Sequence, residues 1–187
     1  MIIKKTLKEM IEELGGLADA PVKFSKRFYI GYWEPERLES QRLTGATDSE
    51  FDRVSADVMR TIKELDGAVP NSSMEGVICD IFEEALANAV EYGNHYDKTL
   101  PVRISIMECR EAYILRIKDQ GNGFNPEKPI FHHLGEGFWN FENMSYPISF
   151  TNSGTAFNMA IPKLVSLGRT DEEAFSQSYL RVQILLR

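Results

Sequence analysis

The hydrophobic period of the chain changes near Gly93, and this change most restricts the possible fold. Before it, apolar residues recur at the three- and four-residue spacing of amphipathic helices, over about residues 51–65 and 77–89. After it, Val102 to Met107 and Tyr113 to Lys118 alternate like the strands of an antiparallel hairpin. Helices followed by such strands indicate the α+β class. We predict a two-layer α/β sandwich with helices on one face of a mixed, mostly antiparallel sheet.

Capping and turn residues predict where these elements begin and end. Capping boxes at Thr47 to Glu50 and at Ser72 to Glu75 open the two long helices. Asp66-Gly67 and Gly93-Asn94 stop them. The further predicted elements are strands at Ile148 to Phe150 and Ala156 to Ile161, a helix at Phe138 to Met144, a short helix opened by Thr170, and a strand or helix at Leu180 to Leu186.

The first 45 residues are predicted to form an N-terminal extension, and residues 46–187 the main domain. A stripe from Leu7 to Leu14 has helical spacing and is ended by Gly15-Gly16. This helix covers an edge of the sheet or docks on a second copy in a homodimer. The aromatic run from Arg27 to Trp33 predicts a strand, and the polar stretch from Pro35 to Gly45 a loop.

Composition narrows the classes of function. A chain of 187 residues that is 43% hydrophobic can bury a real core. Its net charge of −7 and lack of basic runs argue against direct nucleic-acid binding, although a nucleotide held by a metal ion and backbone N–H groups remains compatible. The two cysteines lack metal-site spacing, and no apolar run reaches the roughly 18 residues that span a membrane. We therefore expect a soluble, cytoplasmic protein without membrane association.

Glu84 and Asn88 are the first candidate site residues. They lie four residues apart, only about 40° from each other around the predicted helix, at the flank of its apolar stripe. A carboxylate and an amide in this arrangement can hold a metal ion or a water molecule, with the carboxylate as a base. An ordinary solvated Glu beside a helix-terminal Asn is the alternative, and it is common in helices.

Three glycine-containing segments follow the helix. Asp119-x-Gly121-x-Gly123 comes directly after a predicted strand, where a flat ligand could approach the glycine backbone closely. Gly135 and Gly137 precede a predicted helix, an arrangement typical of phosphate-binding loops, and Gly154-Thr155 opens a strand. Each segment alone is equally compatible with a plain turn, and their order and spacing carry the prediction. The adjacent His132 and His133 lack a third ligand and do not indicate a metal site.

In this order the segments resemble the gyrase, heat-shock chaperone, histidine kinase and MutL (GHKL) superfamily of ATP-binding domains. Glu84 to Asn94 is similar to the family's N box, and Asp119 to Phe124 to its first glycine box. Gly135 to Phe138 and Gly154-Thr155 resemble the two later boxes. The resemblance covers about residues 48–165 and is closest to the bacterial anti-sigma-factor serine/threonine kinases. It implies a Bergerat-type fold, ATP and Mg²⁺ as cofactors, an anti-sigma-factor antagonist as substrate, and a sigma factor as a second partner.

The resemblance also implies roles for individual residues. Glu84 would be the general base, Asn88 the Mg²⁺ ligand and Asp119 the acceptor of the adenine amino group. Gly121 and Gly123 would let the base pass, and Thr155 would support Asp119 directly or through water. The remaining implied roles are a lid from Asn125 to Gly137 that includes Gly135, and a position near the ribose or the lid for Asn94.

The chain departs from the family pattern at three places. Tyr92 replaces a usual histidine, Glu136 stands where this branch often has a basic residue, and Trp139 to Pro147 lacks the usual acidic and apolar pattern. A carboxylate near phosphates is unfavourable unless it points away. Two functions are therefore compared: a protein serine/threonine kinase using Mg-ATP, and a catalytically weak nucleotide-binding module that acts through protein binding. A plain α+β binding protein without nucleotide is the third.

Overall fold

The computed structural model describes residues 2–16, 20–31, 50–65, 72–123, 146–164 and 171–186. Four helices are described: α1 (Leu7–Glu13), α2 (Glu50–Glu64), α3 (Ser72–Asn88) and α4 (Asp171–Leu185). The described residues also form five strands: β1 (Val22–Phe28), β2 (Val102–Glu108), β3 (Ala112–Lys118), β4 (Ile148–Thr151) and β5 (Ala156–Pro162). Several predictions lie outside the described residues: the Thr47 cap, the stop at Asp66-Gly67, the loop from Pro35 to Gly45, the lid, the helix at Phe138 to Met144, and Thr170.

The strands form one sheet in the order β1-β2-β3-β5-β4, and every neighbouring pair is antiparallel. The predicted hairpin of β2 and β3 is confirmed, with Ile104 opposite Ile117. A single parallel bridge joins Ile2 to Ile148 at the β4 edge. The α+β sandwich predicted from the change of hydrophobic period is thus the fold of this chain.

Helices α2 and α3 cover the first face of the sheet. Their apolar stripes pack against inward residues of the central strands, and Phe82 of α3 is fully buried in this core together with Ile104 and Leu115. Burying a side chain of this size contributes roughly 1.5–3 kcal/mol each. The packing therefore fixes the rotation of α3 about its axis, and with it the direction of every polar side chain on that helix.

The second face of the sheet carries α1 and α4, an addition to the predicted single helical layer. Ile114 and Ala160 point to this face and form a second apolar cluster with Met10 of α1 and Val182 of α4. Thr6 and Glu9 form a reciprocal capping box that starts α1. The N-terminal helical stripe is thus buried within its own chain. The predicted boundary at residue 45 stays a prediction, although β1 is hydrogen-bonded into the same sheet.

The predicted strand from Arg27 to Trp33 was placed too late in the chain. The observed strand β1 begins at Val22 and ends at Phe28, opposite Val102 where its partner β2 begins. Beyond that point none of the described strands lies opposite β1, and Ile30 instead enters the core. At the other end of the chain, the segment from Leu180, predicted as strand or helix, belongs to α4. Among the described helices, none combines the length and the apolar character needed to cross a membrane.

Candidate nucleotide site

Helix α3 presents Glu84 and Asn88 side by side on its flank. Both are half-buried, and the Asn88 Nδ2 donates a hydrogen bond of 3.2 Å to the Glu84 Oε1. Since the amide nitrogen is used in this way, the Asn88 Oδ1 is left without a donor among the described residues. The predicted pairing of these two side chains is therefore present in the structure.

The surroundings of Glu84 favour its protonated form. Burial raises the pKa of the Glu84 carboxyl above its usual value, and the nearby Glu91 carboxylate raises it further, against the hydrogen bond from Asn88. The pKa of Tyr92 is raised by burial and by the charges of Glu91 and Glu84. A carboxylate with a raised pKa accepts a proton more readily, which is the property that a general base needs.

The end of α3 differs from the continuous helix that the sequence predicted. Ala89–Gly93 forms a π-helical turn, closed by the Asn94 N–H donating to the Ala89 carbonyl over 2.9 Å. Such turns insert an extra residue into a helix and occur frequently at functional sites. The turn brings Gly93 against Asp119, where a Cβ on Gly93 would lie 2.5 Å from the Asp119 Cγ. The helix end and the end of β3 are therefore in direct contact.

Asp119 follows the last residue of β3 and is 8% exposed. Its Oδ1 accepts a hydrogen bond of 2.8 Å from the Gly121 N–H, and its Oδ2 accepts none from the described residues. Burial raises the pKa of this carboxyl, partly offset by the Gly121 hydrogen bond. A buried carboxylate with one unused acceptor is suited to bind a ligand N–H group, as the adenine prediction requires.

Asn94 holds the two halves of the site together, a role that sequence analysis missed. Its side chain is 1% exposed, its Oδ1 accepts from the Gln120 N–H at 2.8 Å, and its Nδ2 donates to the Leu100 carbonyl at 2.8 Å. Both ends of the amide are thus used within the protein, and the expected position near the ribose or the lid stays a prediction. Its place at the end of the N box was the only available signal.

Gly121 and Gly123 bring backbone segments together around Asp119. A Cβ on Gly121 would lie 2.3 Å from the Gly93 carbonyl oxygen. Gly123 has a φ of +70°, and its Cβ would lie 1.9 Å from the Ser153 carbonyl oxygen. Close approach and positive φ were both predicted for this segment, but the approaching group is the protein's own backbone. Passage of a base beside these glycines stays a prediction.

Thr155 supports Asp119 through its main chain. The Asp119 N–H donates to the Thr155 carbonyl at 3.1 Å, whereas the Thr155 hydroxyl donates to the Asn152 carbonyl at 2.9 Å. The two residues are thus joined by a backbone contact, and the Thr155 side chain stabilises the β4–β5 turn. Support of Asp119 by the Thr155 side chain, directly or through water, stays a prediction. Gly135 and Gly137 lie outside the described residues, so their predicted phosphate contacts stay predictions.

The described residues place one hard oxygen ligand, but no complete metal cage, at this site. No group of three or more His, Cys, Asp or Glu side chains in the described part of the chain is arranged to hold a metal ion. The unused Asn88 Oδ1 fits Mg²⁺, which usually takes one or two protein oxygens and completes its shell with phosphates and water. The donor set is therefore suited to a metal that arrives with a nucleotide.

Comparison with known protein families identifies the class to which this protein belongs. A family model described as the histidine kinase-like ATPase domain matches residues 52–154, which is more than half of the chain. The chain therefore belongs to this family, within the GHKL-type superfamily, and carries an ATP-binding module. The matched range contains Glu84, Asn88 and Asp119. Neither a curated protein nor a solved structure matched the sequence.

Proposed function

We propose that the protein is an anti-sigma-factor-like serine/threonine kinase, which regulates a partner protein by phosphoryl transfer from Mg-ATP, by sequestration, or by both. The observation that carries this proposal is the half-buried Glu84, hydrogen-bonded to Asn88 and with a raised pKa, on the helix whose end contacts Asp119. The proposed base therefore lies on the helix that contacts the proposed adenine acceptor, which supports the proposal. Such positioning is most of what phosphoryl transfer requires from a protein.

In the proposed reaction, Glu84 accepts the proton of a serine hydroxyl on the substrate protein as the hydroxyl oxygen attacks the γ-phosphorus of ATP. The bond between the γ-phosphorus and the bridging oxygen breaks, and ADP leaves with that oxygen. The raised pKa of Glu84 brings its basicity closer to neutral pH, where proton transfer in the transition state is most effective. The Asn88 amide orients the carboxylate through the 3.2 Å hydrogen bond. When bound, Mg²⁺ would be held by the Asn88 Oδ1 and would neutralise phosphate charge.

Asp119 is assigned to the adenine amino group. The Gly121 N–H occupies one carboxylate oxygen and leaves the other for a ligand donor. The Asn94 amide and the close contact of Gly121 with Gly93 hold the Asp119 carboxylate against the helix end. The distance between this adenine-binding carboxylate and the general base Glu84 would therefore stay fixed. A fixed separation supports transfer chemistry because the nucleotide is bound with its phosphates in a defined place.

The proposed partners follow from the resemblance to anti-sigma-factor kinases. The substrate is an anti-sigma-factor antagonist, which would be phosphorylated on serine, and a sigma factor is the second binding partner. The protein would act in the cytoplasm, as monomer or homodimer. Choice between the two partners would then be the regulatory switch.

A catalytically weak nucleotide-binding module is the second candidate. The observation that favours it is the acidic character around the base: the Glu91 charge already raises the pKa of Glu84, and Tyr92 stands where the family usually has histidine. Additional negative charge opposes triphosphate binding unless a cation compensates. In this case nucleotide occupancy alone would control partner binding.

The nucleotide site is tested by calorimetric titration with ATP and ADP, with and without Mg²⁺. We expect micromolar, Mg²⁺-dependent binding, weakened about tenfold or more in Asn88→Ala because a hard oxygen ligand is lost. In EDTA the wild type and the variant should bind alike, since the variant lacks only the metal contact. No binding by the wild type at millimolar nucleotide would refute the kinase proposal and leave a partner-binding scaffold.

Asp119→Asn tests the adenine contact. The carboxylate can accept from Gly121 and from a ligand at once, whereas an amide has one acceptor oxygen, so one of the two donors loses its partner. We expect ATP affinity to fall about tenfold, the value of a charge-assisted hydrogen bond. Asp80→Asn removes the same charge from an exposed position of α3 and should change affinity little. Equal affinities for all three proteins would remove Asp119 from the site.

A further inference from the structure

The half of the second sheet face that lies beyond the α1 and α4 cluster carries four cations. Because side chains alternate along a strand, Arg27, Arg103, Arg116 and Lys118 all emerge on the side of the sheet opposite α3. None of the four forms an ion pair with another residue that the structure describes. We refer to these four side chains as the basic face. It stands out in a chain of net charge −7.

Three of these cations form a continuous row across neighbouring strands. Arg27 of β1 lies directly opposite Arg103 of β2, and Arg103 lies directly opposite Lys118 of β3. Side chains opposite each other in an antiparallel pair are about 5 Å apart, and like charges there destabilise the sheet. The row therefore costs folding stability in the free protein. An anion bound between the three side chains would remove this cost.

Arg116 adds a guanidinium that is already oriented. It lies opposite Ser105 and Asn158, is half-buried, and donates to the Asn158 Oδ1 at 3.3 Å. Asn158 is itself held by hydrogen bonds from its Nδ2 to Ser149 and Thr151 on β4. A guanidinium has five N–H donors, and Asn158 is its single acceptor among the described residues. The remaining donors match the two oxygens of a carboxylate.

We propose that the basic face binds an acidic segment of a partner protein, through a short run of Asp and Glu carboxylates. Three adjacent strands span about 10 Å, which is the length of about three residues of an extended peptide. A small patch of this kind can bind a few carboxylates. A protein that binds duplex DNA through its backbone usually makes about 6–10 phosphate contacts, which is more than this patch offers. The chain's charge of −7 further opposes a long polyanion. A two-fold symmetric dimer through this face would place cations against cations.

This surface lies on the opposite side of the sheet from the proposed general base and metal ligand, although Lys118 precedes Asp119 and its charge lowers the pKa of that carboxyl. Glu84 and Asn88 belong to α3, in the layer on the other face of the sheet. Loss of ATP binding in Asn88→Ala should therefore leave binding at the basic face intact. Failure of the kinase proposal and failure of the present one can thus be told apart with the same set of proteins.

The test uses fluorescence anisotropy with a fluorescein-labelled peptide of alternating Glu and Asp, and a Gln and Asn peptide as control. We expect the intact protein to bind the acidic peptide alone, more weakly at high salt because the contacts are charged. Arg103→Glu combined with Lys118→Glu should weaken binding about tenfold or more, the size expected for loss of charge-assisted contacts. Arg53→Glu makes the same kind of charge reversal at an exposed site on α2 and should change affinity less than twofold.

Three results would overturn the proposal: no binding of the acidic peptide, equal weakening by Arg53→Glu, or tighter binding of single-stranded DNA or phosphatidylglycerol vesicles through the same side chains. Thermal unfolding adds an independent measurement. Arg103→Gln should weaken peptide binding yet raise the melting temperature of the free protein by about 1–4 °C, because it relieves repulsion within the row. A lowered melting temperature would show that the row stabilises the fold, and would also overturn the proposal.

Discussion

The Glu84→Gln variant is expected to transfer phosphate about 100- to 10,000-fold more slowly than the wild type, the usual contribution of a general base. Glutamine keeps the oxygen that accepts from the Asn88 amide, so the geometry of the pair is retained while the proton acceptor is lost. Mg-ATP affinity should change little, because the proposed metal ligand is the untouched Asn88. The measurement is serine phosphorylation of an antagonist-like partner by mass spectrometry, together with ATP turnover.

Thermal unfolding of the Glu84→Gln variant provides a control, because the direction of the change in melting temperature can be predicted. The pKa of Glu84 is raised in the folded protein, so its ionisation opposes folding above the unfolded value of about 4.3. The contribution of Glu84 to wild-type stability therefore falls as pH rises above about 4.3. A glutamine at this position does not ionise, so the variant does not lose this stability. Glu84→Gln should therefore melt at a higher temperature at neutral pH, with a smaller difference near pH 4. Unchanged regulation of the partner by this variant would favour the non-catalytic module.

Gly121→Ala is expected to destabilise the fold by about 3 kcal/mol, at the upper end of the cost of overpacking. Its Cβ would lie 2.3 Å from the Gly93 carbonyl oxygen, and neither backbone can move without disturbing the Asp119 carboxylate. For a chain of this length the melting temperature should fall by about 6–12 °C. Nucleotide affinity should fall as well, because the contact between the helix end and the β3 end opens.

Gly76→Ala is the matched control for this substitution. Gly76 lies within α3, and a Cβ there would meet nothing within 4 Å. Alanine should therefore stabilise the protein by about 0.5–1 kcal/mol through helix propensity. Calorimetric melting of both variants measures the two effects. A Gly121→Ala protein as stable as the wild type would mean that the close contact with Gly93 can relax without cost.

The core of the fold was readable from the sequence because local periodicity determines it. The stripe of α3 and the alternation of β2 and β3 each depend on neighbouring residues. The position of β1 was not readable in this way, because its end is set by Val102 of β2, far along the chain. The second helical layer was missed, although the nearly continuous burial of β3, with Ile114 and Leu115 facing opposite clusters, is typical of a strand covered on both sides.

The candidate site was predictable as a set of residues but not as an arrangement. The spacing of Glu84 and Asn88 predicted their pairing on one helix. The role of Asn94 depends on Gln120, a partner that no local pattern reveals. The π-helical turn that presses Gly93 onto Asp119 is likewise a tertiary feature, since five consecutive residues carry no distinct signal for it. Long-range backbone contacts are thus the part that sequence reasoning could not supply.

The order in which the sheet can form follows from its pairing. Ile2 pairs with Ile148, and β1 pairs with β2, so these early segments find their partners only after β4 and β2, far later in the sequence, have been synthesised. The β2–β3 hairpin, by contrast, closes over three residues as soon as it emerges. Non-local pairing of this kind slows folding, because the entropy cost of closing a long loop comes before the stabilising contacts form. Both edges of the sheet therefore stay unprotected during synthesis, when a chaperone or a partner chain has its best opportunity to engage them.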